Sequence, residues 1–172
     1  MSDLGFRAMA LTFKVRDFFS PRIDILKEAG IKEGHHVLDF GCGSGSYLLA
    51  VAELVGKSGK INALDVQSLA IEMVKKIAAK NKLTNVETIL SDRETGLADE
   101  SIDVALLYDV FHDLADPEGV LKELHRVLKV DGILSLSDHH MKHDEILSKV
   151  TNENFFRLLK KGEKTYSFAR VK

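Results

Sequence analysis

The chain has 172 residues, 45% hydrophobic and 29% charged, with a net charge of −2, proportions that describe one globular domain and exclude a disordered or fibrous chain. That charge gives no general attraction for a phosphate backbone, so nucleic acid is not favoured as a partner, and Cys42 as sole cysteine excludes an internal disulfide and a thiolate zinc site. A signal-peptide pattern and an apolar run near the ~18 residues of a membrane span are both missing, so the expectation is a soluble cytoplasmic protein without a membrane span.

Phe6, Met9, Ala10 and Phe13 recur at helical spacing, with Phe18 and Phe19 less regular, and predict an amphipathic helix over residues 6–19. Its charges are mixed, Arg7, Lys14 and Arg16 against Asp3 and Asp17, which argues against a basic membrane-surface helix. Ser20-Pro21 ends it, and a second helix from about Arg22 to Glu28 stops at Gly30. The chain then enters Val37-Leu38-Asp39-Phe40-Gly41-Cys42-Gly43-Ser44-Gly45, a short buried strand that runs into three alternate glycines behind an acid. Such a turn lets the backbone approach a nucleotide cofactor where a Cβ would collide. Cys42 is a spacer in it, read as a small residue that fits a tight turn rather than a reactive thiol. A helix follows from about Ser46 to Val55. A dinucleotide fingerprint would place its third glycine at the sixth position counted from Gly41, which is Ser46 here.

The second strand, Ile61–Val66, ends at Asp65, where a carboxylate can accept from both hydroxyls of a ribose. This supports an adenosine cofactor and is shared with NAD-binding proteins. Ser68 is expected to cap the next helix, which buries Leu69, Ile71, Val74, Ile77 and Ala78. Strand Val86–Leu90 leads into Ser91-Asp92 and a polar loop with Gly96, whose lack of helical pattern predicts a shortened crossover to strand Ile102–Tyr108. Pro117 suits the first position of a helix that buries Val120, Leu121, Leu124, Val127 and Leu128; the segment 128–132 closes it, and Ile133–Ser137 is the fifth strand. A helix from about Lys142 to Val150 precedes Phe155–Lys160 and Lys164–Val171, which read as a hairpin around a glycine turn.

Four of these features, in order, resemble the class I methyltransferases that use S-adenosyl-L-methionine, in a small quinone- or sterol-methylating type of sequence. Asp39-x-Gly41-x-Gly43-x-Gly45 is similar to their first motif, Asp65 and Val66 to the ribose-binding strand end, and Asp92 to the acid that accepts from the adenine amino group. The stretch Ile102–Leu114, with Tyr108, Asp109, His112 and Asp113, looks like the motif that brings polar residues to the transfer centre. The segment Leu128-Lys129-Val130-Asp131-Gly132 resembles the family's Leu-Lys-Pro-Gly-Gly turn with two residues replaced. The resemblance runs from about Gly34 to the C-terminus. It implies an α/β, Rossmann-like doubly wound sheet, mostly parallel, of seven strands with a C-terminal antiparallel hairpin. One domain over 1–172 is expected, with a helical lid over 1–33 and a cofactor-binding core over 34–172; a helix simply packed on the sheet is the competing use of residues 6–19. The implied cofactor is S-adenosyl-L-methionine, held by Asp39, Gly41, Gly43, Gly45, Asp65, Val66, Asp92 and Tyr108.

Two polar clusters follow strand ends, where open α/β sheets bind ligands: Tyr108, Asp109, His112 and Asp113, and Asp138, His139, His140 and His143. His112 and Asp109 are the catalytic candidates; His112 is either a general base, since imidazole titrates near neutrality, or a packing residue beside the cofactor. The second cluster reads as a polar rim rather than a metal site, because adjacent His139 and His140 tend to point apart. His35, His36 and His125 look peripheral. The acceptor is expected to be a small molecule. The Asn/Asp-Pro-Pro-aromatic tetrad of many amino-methylating enzymes is replaced by Leu107-Tyr108-Asp109-Val110, and thiol-assisted carbon or arsenic methylation lacks cysteines outside the glycine turn. An NAD(P)-dependent oxidoreductase is the alternative enzyme, disfavoured by Ser46, Asp39 and the hairpin. A non-catalytic S-adenosylmethionine-binding protein also fits every motif.

Overall fold

The computed structural model describes residues 23–171, so the helix expected over 6–19 lies outside the described residues. The strands are β1 (His36–Phe40), β2 (Lys60–Asp65), β3 (Val86–Leu90), β4 (Ile102–Tyr108), β5 (Leu128–Ser137), β6 (Phe156–Lys161) and β7 (Tyr166–Arg170). They form one sheet in the order β3-β2-β1-β4-β5-β7-β6, parallel up to β5 and antiparallel at the β5–β7 and β7–β6 pairs. The expected seven-stranded, mostly parallel sheet with its terminal hairpin is therefore present. The chain winds outward from β1 in one direction and from β4 in the other, so a crevice opens between the carboxyl ends of these two strands.

Alternation along each strand feeds two cores. On one face Val37, Ile61, Ala63, Val104 and Leu106 pack under α1 (Ile23–Glu28), α2 (Leu48–Val55) and α3 (Ser68–Lys80). On the other, Leu38, Phe40, Leu64, Ala105 and Leu107 pack under α4 (Pro117–Val127) and α5 (His143–Thr151). Each side chain buried as fully as Leu107 or Phe168 contributes roughly 1.5–3 kcal/mol. Ile25 and Leu26 of α1 belong to the first core with Val51 and Val55.

Several boundaries differ from the sequence reading. The first crossover helix begins at Leu48 rather than Ser46, because residues 41–47 are spent in successive turns, with Gly45 N–H on the Cys42 carbonyl and Leu48 N–H on that of Gly45. Ser68 is the first helical residue of α3 and not its cap; the flanking residue is Gln67, and no side chain caps that end. Leu69 and Ile77 are only half-buried. Leu128 opens β5 instead of closing α4: it pairs with Ile102, and Ile133 with Val104, so residues 129–132 bulge out of register within β5. The link from β3 to β4 contains no helix, as expected. Pro117 takes the first turn of α4, and Asp116 caps it by accepting the Gly119 N–H at 2.9 Å. Among the described residues no helix is long and apolar enough to cross a membrane.

Candidate active site

The glycine turn is anchored to the end of β2. Gly41 and Cys42 both donate backbone N–H groups to the Leu64 carbonyl, at 2.8 and 2.9 Å. Asp65 then accepts the Gly43 N–H on Oδ2 and the Gln67 N–H on Oδ1, each at 2.8 Å. Both carboxylate oxygens are thus fixed in direction, and each keeps lone-pair capacity for a further donor. Gly41 has φ +79°, and a Cβ on it would lie 2.7 Å from a methyl of Val110. Gly43 has φ +52°, and a Cβ there would meet nothing within 4 Å, so the chain reaches an open space without filling it. Gly45 instead packs under Val74 and Ile77 of α3.

Beside this turn lies a cavity of about 530 Å³ whose lining includes Gly41, Asp65, Val66, Asp92, Val110 and Leu114. Val66 is exposed on its wall and Asp65 is buried at its edge. An apolar wall with a fixed carboxylate at one end and a second acid, Asp92, near it suits a nucleoside: the flat base against Val66 and Leu114, and the sugar hydroxyls on Asp65. The sequence reading had placed Asp65, Val66 and Asp92 here. It missed Val110, Leu114 and Ala115, which the short helical turn Phe111–Asp113 swings across the opening. No periodicity marks a three-residue turn, so only the apolar Leu-Ala pair before Asp116 hinted at them.

Asp39 occupies the opposite face of β1, buried, and its carboxylate accepts no hydrogen bond from any described residue. Burial and then the charge of Asp65 push it up to about 7. Burial likewise pushes up the Cys42 thiol, with the Asp39 and Asp65 charges adding, which suits an inert filler of the turn. Tyr108 is buried: its hydroxyl shares a 2.8 Å hydrogen bond with Ser135, and its ring meets the edge of Tyr47 at 5.1 Å. It stands behind Tyr47.

Beyond β4 and β5 two histidine–carboxylate pairs form. His112 is bound by Asp138, whose oxygens lie 2.9 and 3.0 Å from Nδ1, and Asp138 also accepts the backbone N–H groups of His112 and His140. Burial would raise the Asp138 carboxyl, but these donors and the His112 imidazole outweigh it and hold it below its usual range. Asp109, at φ +53°, lies 2.6 Å from His139 Nδ1 through its Oδ1. His139 and His140, expected to point apart, lie side by side with ring centroids 4.0 Å apart, because the loop after β5 folds back over Asp138. His143 pairs instead with the Tyr166 hydroxyl at 3.1 Å. Among the described residues no three His, Cys, Asp or Glu side chains are grouped to hold a metal ion. His125, distant from both pairs, contacts the Val171 carbonyl at 2.8 Å.

A second cavity, of about 350 Å³, opens on this side, with Tyr47, Asp109, His139 and Tyr166 in its lining. Its far wall is the hairpin turn 161–165, a contributor the sequence reading did not name. That turn is tied to α1 by Glu28, whose Oε2 accepts from Lys164 N, Thr165 N and Thr165 Oγ1 at 2.9–3.2 Å. The contact joins residues 137 positions apart, and no local pattern announces it.

A family model described as a methyltransferase domain matches residues 31–170. A demethylmenaquinone methyltransferase of Lactobacillus johnsonii is 30% identical over 139 residues, 80% of this chain and 57% of that protein. An (S)-coclaurine N-methyltransferase of Thalictrum flavum is 32% identical over 108 residues, 63% of this chain and 30% of that protein. The chain spans about half the length of the curated relatives it matches, or less. Among solved structures, a SAM-dependent methyltransferase from Aquifex aeolicus superposes with a TM-score of 0.79 at 27% identity, over 95% of this chain and 98% of that one.

Proposed function

This chain belongs to the methyltransferase-domain family, whose cofactor is S-adenosylmethionine, and we propose that it transfers a methyl group from that cofactor to a small-molecule acceptor. The observation that carries the reading is the Asp65 carboxylate, fixed by Gly43 and Gln67 N–H groups at the lip of the 530 Å³ cavity.

The residues fit the cofactor. Asp65 would take the ribose hydroxyls, Val66 and Leu114 would pack against the adenine, and Asp92 would accept from its amino group. Gly43 leaves room that a side chain would fill. Asp39, buried without a described hydrogen-bond partner, offers a negative charge to the cationic methionine end. Tyr108 supports this end through Tyr47. When bound, S-adenosylmethionine supplies an electrophilic methyl on a sulfonium, so the protein's work is alignment and exclusion of water. The acceptor enters the 350 Å³ cavity, whose lining includes Asp109, the neighbour in sequence of Val110 in the 530 Å³ cavity. The named relatives act on demethylmenaquinone and (S)-coclaurine, and only the class of small organic acceptor is carried over here. The antiparallel β7, inserted between β5 and β6, supports this reading over an NAD-binding one.

Calorimetry with S-adenosylhomocysteine and NADH tests the cofactor, and a methyl-transfer screen of small-molecule pools tests turnover. Tighter binding of NADH would overturn the reading. Cofactor binding with no turnover in any pool would favour a non-catalytic binding protein.

A further inference from the structure

We infer that His139, held by Asp109, is the proton acceptor of the transfer site, and that the molecule it serves is methylated on a protic heteroatom, a hydroxyl or an amine, seated in the 350 Å³ cavity. The inference rests on the methyltransferase reading above and adds a residue and a class of nucleophile to it.

Both carboxylates, Asp109 and Asp138, line the 350 Å³ cavity, but of the two histidines only His139 does. His112 has Nδ1 on Asp138 and Nε2 3.5 Å from Asp113 Oδ2, and it is in the lining of neither cavity described above. His139 and Asp109 both line the acceptor cavity, with Ile25, Tyr47 and Tyr166. The Asp109 Oδ1 lies 2.6 Å from His139 Nδ1 and 3.3 Å from its backbone N–H. An ionised carboxylate only accepts, so Nδ1 carries the proton of the neutral ring and Nε2 keeps the lone pair. That is the tautomer a general base needs, with the carboxylate behind it to steady the imidazolium.

Asp109 adopts the left-handed region, at φ +53°, which is strained for a residue with a Cβ. Its N–H is held by the Ser137 carbonyl at 2.7 Å, so the strain is fixed where β4 meets β5 and aims the carboxylate at His139. The other charged or titratable groups around the cavity and the ring are His140, Asp138, Lys161, Glu163 and Lys164. The His139 side chain is 65% exposed, which gives the proton a route to water after each turnover.

The step balances without another reactant. The nucleophile's lone pair forms the bond to the methyl carbon, and the carbon–sulfur bond breaks with its electrons returning to sulfur. The nucleophile's proton passes to His139 Nε2, leaving S-adenosylhomocysteine and an imidazolium that loses its proton to solvent. Asp109 stays ionised and is a positioning residue.

The test uses the full chain with ¹⁵N-labelled histidines and bound S-adenosylhomocysteine, with His139→Gln to assign the signals. NMR is expected to show the His139 proton on Nδ1 in the neutral ring, and Asp109→Asn to shift it toward Nε2. A wild-type Nε2–H tautomer, or one that Asp109→Asn leaves untouched, overturns the inference. Separate pools of phenols and amines distinguish the two nucleophiles. On whichever is turned over, His139→Gln should lower kcat about a hundredfold or more and abolish its rise with pH, with the S-adenosylhomocysteine Kd within about twofold of wild type. Wild-type kcat in His139→Gln, or methylation confined to carbon acceptors, also overturns it. Failure of the cofactor itself to bind in calorimetry would instead strike the methyltransferase reading, while the tautomer experiment on the free protein still decides the pair.

Discussion

Gly43 donates its backbone N–H to Asp65 Oδ2 at 2.8 Å, so the turn after β1 hangs on the carboxylate that closes β2. One side chain thereby shapes the turn and lines the 530 Å³ cavity. Asp65→Ala should weaken S-adenosylhomocysteine binding by roughly 1.5–3 kcal/mol, about ten- to a hundredfold, as loss of charge-assisted hydrogen bonds does. Asp65→Asn keeps one acceptor oxygen and should fall between. Calorimetry reads both, and normal binding by a folded Asp65→Ala protein would move the cofactor site elsewhere.

Gly43→Val should bind worse than Asp65→Ala. The open space around a Gly43 Cβ means no neighbouring side chain blocks the substitution, but φ +52° is costly for a β-branched residue and the branch points into the ligand's path. Gly43→Ala shares much of the backbone cost with a smaller side chain. Comparing the melting temperatures and affinities of the two variants separates strain from obstruction, and equal affinities would argue against obstruction.

Asp39 titrates in the opposite sense from a paired carboxylate. Its folded value, up to about 7, exceeds that of an unfolded aspartate, so the folded state holds the proton more tightly, and stability falls as pH rises from about 4 to about 7. Asp39→Asn removes that cost and should stabilise the cofactor-free protein above pH 7 by on the order of 1–4 kcal/mol, with the gain vanishing near pH 4. It should also weaken cofactor binding, because the cationic methionine end loses its counter-charge. Denaturant titrations across pH check the first outcome, and an unchanged difference between pH 4 and 8 would refute it.

The sheet, and the glycine turn and Asp65 beside the 530 Å³ cavity, were legible in the sequence because they are local. Val37, Leu38 and Phe40 alternate between two cores, the glycines follow at once, and Asp65 is the last residue of its strand. The acceptor side was legible only as a collection of polar residues. Whether His112 or His139 lines a cavity depends on how the β5 loop folds over Asp138, and the far wall depends on Glu28 meeting Thr165 across 137 positions. Helix starts failed where turn geometry overrode composition, at Ser46 and Ser68. Leu128 was misplaced because its apolar spacing continues that of α4 while its backbone already pairs with Ile102.

His112 and Asp138 tie the ends of β4 and β5 together, so their effect should appear in stability before affinity. Asp138 is held below the usual carboxylate range, so its contribution is complete above about pH 4 and is lost as pH falls through its depressed value. His112→Ala leaves the buried Asp138 side chain without its ring partner and should destabilise the fold by roughly 1–3 kcal/mol at neutral pH, with the difference narrowing in acid. S-adenosylhomocysteine affinity should change less than about threefold. A His112→Ala protein of normal stability but with turnover reduced a hundredfold would assign this histidine the role given above to His139.

Deleting residues 1–19 should leave a folded domain that holds S-adenosylhomocysteine less well or turns over its acceptor poorly. The cut stops before α1, whose Ile25 and Leu26 are buried with Val51 and Val55 and whose Glu28 anchors the hairpin turn, so the contacts that close the described core are kept. The segment removed carries Phe6, Met9 and Phe13, whose spacing in the sequence is helical, and the 350 Å³ cavity counts Ile25, near the start of α1, in its lining. A lid on that side would slow cofactor escape and exclude water during transfer. Stopped-flow dissociation of S-adenosylhomocysteine and a thermal melt of the same truncated protein check this: faster release with a retained cooperative melt is expected. Insolubility or loss of the cooperative transition would place Phe6, Met9 and Phe13 in the core instead.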